Sequence, residues 1–152
     1  MNKRIVIRSF ITVAVGGVVA GGVALGSASA SGPTEPTLEE SEARYVAPSS
    51  GTEGSVTFTA KVPHDSGISD LKVLAWPKSS GLKPKAAEMA DAESATCEAS
   101  SDTTSTCTYT LKATAEEAAG LEKGTWHVSV LAKAEDGGTR FVPEAADFEV
   151  TR

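Results

Sequence analysis

From Tyr45 to the C-terminus apolar residues recur at every second position, and Pro, Gly and Asp-Gly breaks interrupt them at intervals that suit short β-strands. The first clear strand runs from Val56 to Val62, with Val56, Phe58, Ala60 and Val62 on one side and Thr57, Thr59 and Lys61 on the other. Pro63 to Gly67 turns the chain. Leu71 to Trp76 follows with both faces apolar apart from Lys72, the pattern of a central strand covered on two sides, and Pro77 stops it. Residues 78 to 92 hold a short Ala-Ala-Glu-Met-Ala run, enough for a helical turn but not for a long helix. A hairpin is expected next, from Ser94 to Ala99 and from Thr106 to Ala113, joined by the bend Ser100 to Thr104. Thr114 and Glu117 have the spacing of a capping box and predict one helical turn before Gly120.

The last unit is the most regular. Trp126, Val128, Val130 and Ala132 alternate with His127, Ser129, Leu131 and Lys133, and Asp136-Gly137-Gly138 then supplies a hairpin turn. The return strand passes Phe141 and Val142, breaks at Pro143 and resumes at Ala146, Phe148 and Val150. Proline cannot donate to a ladder, so Pro143 belongs at an edge or a bulge. With a strand near Tyr45 to Ala47 the count is about seven, and the predicted fold is an all-β, seven-stranded β-sandwich over residues 45 to 152.

The chain ahead of this unit reads differently. Lys3, Arg4 and Arg8, the apolar run Phe10 to Leu25 and the small residues Ala28-Ser29-Ala30 have the three parts of a secretory signal peptide, with cleavage expected between Ala30 and Ser31. The apolar run is sixteen residues long and contains four glycines, shorter than the roughly 20 residues of a membrane span. Residues 31 to 44 combine prolines and four acids with Leu38 as the one large apolar side chain, and are expected to form a flexible acidic leader. No cysteine follows the apolar run to accept a lipid and no apolar tail ends the chain, so release into the extracellular space is expected, without a membrane anchor.

Charge narrows the partners. Loss of residues 1 to 30 removes three of fourteen basic residues and none of the twenty acidic ones, leaving a net charge of −9 on the exported chain. Nucleic-acid binding and adhesion to anionic lipid are poor fits, because both draw affinity from clustered Lys and Arg, which are scattered here. The exported part contains neither Asn nor Gln, which excludes N-linked glycans and removes the amides that commonly direct ligands in pockets.

Leu121-Glu122-Lys123-Gly124-Thr125-Trp126, the alternating strand after it and Asp136-Gly137-Gly138 resemble the final two strands of bacterial immunoglobulin-like domains, where L-x-x-G-x-Y opens the penultimate strand. Asp65-Ser66-Gly67-Ile68 with Leu71 and Val73 is similar to their earlier bend. Signal included, the chain resembles secreted actinobacterial proteins of unknown function that carry one such domain. The resemblance implies an immunoglobulin-like sandwich and leaves function open. Trp126 stands where Tyr is usual, so the hydroxyl that makes the familiar corner hydrogen bond is missing.

Candidate chemistry is sparse. Cys97 and Cys107 sit in the two arms of the expected hairpin, and export would join them as a disulfide. Their spacing is far from the C-x-x-C of redox catalysis. His64, in a turn, and His127, expected to face outward, lack a neighbouring hydrolase or zinc motif and read as solvated side chains. The acid pairs Asp65 with Asp70 and Glu135 with Asp136 read as turn chemistry rather than calcium or glycosidase sites. Trp76, an aromatic at a strand end, is the candidate binding surface, with core packing as the plainer alternative. The expectation is a secreted, monomeric, noncatalytic module without metal or cofactor that binds an unknown protein or cell-surface component. A secreted protease inhibitor is the alternative.

Overall fold

The computed structural model describes residues 33–151; the expected export signal and the expected cleavage between Ala30 and Ser31 lie outside them. Among the described residues, eight strands form two four-stranded antiparallel sheets that face each other as a β-sandwich. Strands β1 (Glu39–Val46), β2 (Gly54–Pro63), β5 (Thr96–Ser101) and β6 (Thr104–Ala113) make one sheet in the order β1-β2-β6-β5. Strands β3 (Ile68–Pro77), β4 (Glu93–Ser94), β7 (Gly124–Ala134) and β8 (Thr139–Val150) make the other, in the order β4-β3-β7-β8.

The period-two pattern places the core. Phe58, Ala60 and Val62 of β2 meet Leu71 and Val73 of β3, Trp126 to Ala132 at even positions of β7, and Phe148 and Val150 of β8, all buried between the sheets. Thr57 and Thr59, which alternate with these residues, lie on the opposite face of the first sheet and are half-exposed. Burial of this apolar surface is the main favourable term in the fold.

Two expectations need correction. The strand count is eight rather than seven, because the chain makes the two-residue β4 beside Lys72 and Val73 before it enters β5. Ser94, expected in the hairpin, therefore belongs to the other sheet. The leader expected over residues 31 to 44 is structured from Thr34 onward among the described residues: Pro36 is fully buried, Leu38 packs on the core, and Glu39 to Val46 pair with β2. Low hydrophobicity misleads there because an edge strand is held largely by backbone hydrogen bonds, which its side chains do not reveal.

The hairpin forms with a tighter turn than expected, since Ser100, Ser101 and Thr104 belong to its strands; Cys97 lies opposite Cys107 and the two are joined by a disulfide. Chain-entropy reasoning puts the bridge at about 2.5 to 3 kcal/mol for a loop of this size. The capping box also forms: Thr114 Oγ1 accepts from the Glu117 amide at 3.2 Å and opens the helix α1 (Ala115–Ala119). Pro143 lies on the edge strand β8 and at a bulge, where Pro143 to Ala145 oppose the single residue Ser129.

The segment between β3 and β4 is not a plain loop. Its 3-10 turn Ala86–Asp91 lies against β3 and β7 and buries Met89 completely, outside the main cluster. Trp76, Ser129 and His127 alternate with the inward-facing residues of β3 and β7, and they too are buried. The second sheet is therefore covered on its outer face as well, which accounts for the apolar character of both faces of β3.

Candidate functional site

Both histidines are buried and bonded rather than solvated, each with 7 % of its surface exposed. His64 leaves the end of β2 and donates from Nε2 to the Thr34 carbonyl at 2.8 Å. Its Nδ1 accepts from the Ser66 amide at 3.1 Å, which requires a lone pair there and matches donation from Nε2 to Thr34. The Ser66 hydroxyl lies 2.9 Å from the same nitrogen and accepts from the Asp136 amide at 3.1 Å. Asp136 Oδ2 accepts from the Thr34 amide at 3.0 Å and Oδ1 from Gly138 at 2.9 Å. These two amides, Thr34 first, hold the Asp136 carboxyl below the ordinary carboxylate range.

Serine, histidine and aspartate thus meet at one corner, in an arrangement that serves the backbone. Asp136 Oδ2 is 3.6 Å from His64 Nε2, farther than the Thr34 carbonyl to which that nitrogen is bonded. Every bond of the group ends on Thr34 or on a turn that holds it. A Cβ on Gly138 would lie 1.9 Å from the Thr34 oxygen, so only glycine permits the approach. The corner fastens Thr34, near the first of the described residues, across the β2–β3 and β7–β8 turns.

The second histidine belongs to the outer cluster of the second sheet. His127 donates from Nδ1 to Asp147 Oδ1 on β8 at 2.6 Å, and its ring lies 4.6 Å from that of Trp76. The Trp76 indole N–H donates to Ser129 Oγ at 2.8 Å, and Ser129 donates in turn to the Pro143 carbonyl in the bulge at 2.6 Å. Trp76 is 7 % exposed, which removes it as a binding surface: its ring and its polar handle are both used internally. Trp126 supplies a different correction. Its indole N–H donates to the Glu122 carbonyl at 2.7 Å, so a hydrogen bond back to the chain just before β7 survives the change from Tyr to Trp.

Among the described residues, one exposed stretch with unused backbone bonding capacity is the end of β6. Strand β2 pairs with all of β6, but β5 reaches only from Ser101 to Thr96, opposite Thr104 to Thr108. Beyond that point the chain crosses to the other sheet, where the Ala95 amide donates to the Leu71 carbonyl at 2.8 Å. The Cys97 and Cys107 Cα atoms are 4.0 Å apart, which marks the narrow, non-hydrogen-bonded kind of antiparallel pair. Thr106 and Thr108 therefore turn their N–H and C=O groups toward β5, and by the same alternation Thr110 and Lys112 turn theirs to that side. No described strand meets them there. The crossover leaves an open notch, with Glu93, Ser94 and Thr96 on one wall and Tyr109, Thr110 and Leu111 on the other. Tyr109 donates to Glu93 across it at 2.5 Å, and burial, then this bond, push the phenol above its ordinary range.

The family model "Family of unknown function (DUF5707)" matches residues 38–132. The chain belongs to this family. No curated protein matches it, and no solved structure does. The part matched as DUF5707 runs from Leu38, just ahead of β1, into β7; it includes both histidines, the disulfide and the open end of β6. Asp136 and Asp147, the acidic partners of the histidines, fall beyond it.

Of the residues singled out from the sequence of this DUF5707 chain, Cys97 and Cys107 are brought together, while Trp76, His64 and His127 are withdrawn into bonded positions. Of the acid pairs, Asp136 caps its own turn and Asp70 lies 3.8 Å from Lys72. The open edge was missed, although the sequence carries a trace of it: the second arm of the hairpin continues alternating for longer than the first.

Two outcomes follow from these bonds. Ser129→Ala strips the buried Trp76 indole of its acceptor and should cost about 1 to 3 kcal/mol, read as a lower urea midpoint with an unchanged slope; an unchanged midpoint would contradict the bond. Asp136 has a depressed folded pKa, so its stabilisation is present above the unfolded carboxyl value of about 4 and is lost as pH falls through the lower folded value. Asp136→Ala should flatten that part of the acid limb and speed amide exchange at Thr34; superimposable pH–stability curves would rule this out.

Proposed function

We propose that this DUF5707 protein acts outside the cytoplasm as a noncatalytic immunoglobulin-like module, which binds a protein or cell-surface component along the open end of β6. The observation that carries the reading is that edge, where Thr110 and Lys112 present backbone groups with no strand beside them. Strand addition at such an edge draws affinity from main-chain hydrogen bonds and specificity from alternate side chains.

The contrast with other edges supports it. Edge strands invite unwanted pairing and are commonly interrupted or bent. Strand β8 carries Pro143 and its bulge, and β1 is kinked between Glu39 and Glu42 with Glu40 at φ 48°. The register of β6 against β2 is unbroken from Thr104 to Ala113, and the stretch holds no proline.

The order β1-β2-β6-β5 against β4-β3-β7-β8 fits the immunoglobulin arrangement, in which strands A, B, E and D face C, F and G with one further strand beside C. Trp126 at the start of β7 takes the place of the corner tyrosine. The Cys97–Cys107 bridge suits an oxidising, extracellular setting, in keeping with the export signal. The noncatalytic reading rests on the bonds of Ser66, His64, Asp136 and His127, which are spent on holding backbone or one another. The inhibitor alternative has less support, because the β5–β6 connection is a two-residue turn, Asp102-Thr103, rather than an extended loop for a protease cleft.

Thr110→Pro tests the reading with little damage to the fold, because the N–H it removes faces the open side. The native domain, immobilised and exposed to secreted and wall-associated material of the producing cells, should retain a macromolecule that the Pro variant retains at least about tenfold less, a loss of about 1.4 kcal/mol. Equal retention by both, or no retention by the native domain, would overturn it.

A further inference from the structure

The charge of the chain is concentrated on the unit that carries the open edge. Residues 88 to 122, which run from the 3-10 turn through β4, β5, β6 and α1, contain eight acidic residues and a single basic one, Lys112. The rest of the exported chain, from Ser31 onward, holds twelve acids and ten bases, a net charge of only −2. The segment that contains this strand end, with its free donors and acceptors, therefore carries a net charge of −7. Glu93 stands in the notch itself, Glu98 lies on β5 opposite Thr106, and Glu116 and Glu117 follow directly where β6 runs into α1.

Resting on the module reading above, we infer that the occupant of this edge is an extended peptide segment bearing Lys or Arg, which adds to β6 as a further strand beside Thr110 and Lys112. Backbone pairing sets the register, and the surrounding carboxylates select the charge. Alternate side chains of the added strand fall beside Tyr109 and Leu111, next to Glu93, so a basic side chain there is neutralised at the notch. An acidic segment would be repelled by the same groups. A second copy of this chain is disfavoured for that reason, since pairing β6 with β6 would juxtapose two units of charge −7.

The test uses the folded domain with three synthetic peptides of about ten residues, enough for one strand, in which Val alternates with Lys, with Ser or with Glu. Binding is followed by fluorescence anisotropy and its location by amide exchange. The Lys peptide should bind, slow the exchange of Thr110 and Lys112, and weaken at least about tenfold as NaCl is raised from about 0.05 to about 0.5 M, because screening shortens the reach of the carboxylates. Thr110→Pro should abolish that binding, while exchange in the native domain locates the site independently of how well the variant folds. If the Ser or Glu peptide protects Thr110 as well as the Lys peptide does, the basic partner class is overturned and the module reading stands. If no peptide protects Thr110 or Lys112, the edge is not a binding site and both readings fall. Protection that rises with protein concentration alone assigns the edge to a second copy and overturns the peptide proposal.

Discussion

Within three residues the chain is fastened to both sheets: Ala95 donates to Leu71 in the second sheet, and Cys97 is bridged to Cys107 in the first. Much of the architecture follows from this crossover. It closes one side of the sandwich, sets the pairing of β5 against β6, and takes the chain away from β6 at Thr108. A strand that stayed in the first sheet would have paired with Thr110 and Lys112. Because it crosses instead, these residues keep unpaired backbone groups, and Tyr109 and Glu93 meet across the gap. The disulfide stabilises this geometry chiefly by limiting the unfolded chain, and it holds β5 in register beside the opening.

Away from the crossover, polar side chains act as fasteners. The group of His64, Ser66 and Asp136 ties Thr34 to two turns, and the chain of Trp76, Ser129 and Pro143 ties the outer cluster to the bulge in β8. No buried side-chain nitrogen or oxygen among the described residues lacks a partner. That completeness gives the groups structural value, because an unmatched buried donor would cost more than a hydrogen bond returns.

Local signals were legible in the sequence where short-range chemistry decides. The alternation of β2 and β7, the capping box at Thr114, the turn at Asp136-Gly137 and the placement of Pro143 depend on neighbouring residues and were readable from them. Long-range pairing was not. His127 sits on a face that read as outward and Trp76 on one that the strand pattern left undecided; both are buried, and the 3-10 turn Ala86–Asp91 packs against the strands that carry them. Thr34 looked like part of a loose leader because its partners, His64 and Asp136, are 30 and 102 residues away. The edge of β6 depends on where another strand stops, which strand propensity does not encode.

Native-state amide exchange along β6, in the absence of any partner, tests the open edge most directly. Tyr109 and Leu111, which face β2, and Thr106 and Thr108, which face β5, should exchange slowly, while Thr110 and Lys112 exchange as fast as exposed loop amides. Protection of Thr110 and Lys112 equal to that of their neighbours would mean that the edge is already paired, and the account of this protein as a strand-accepting module would fail.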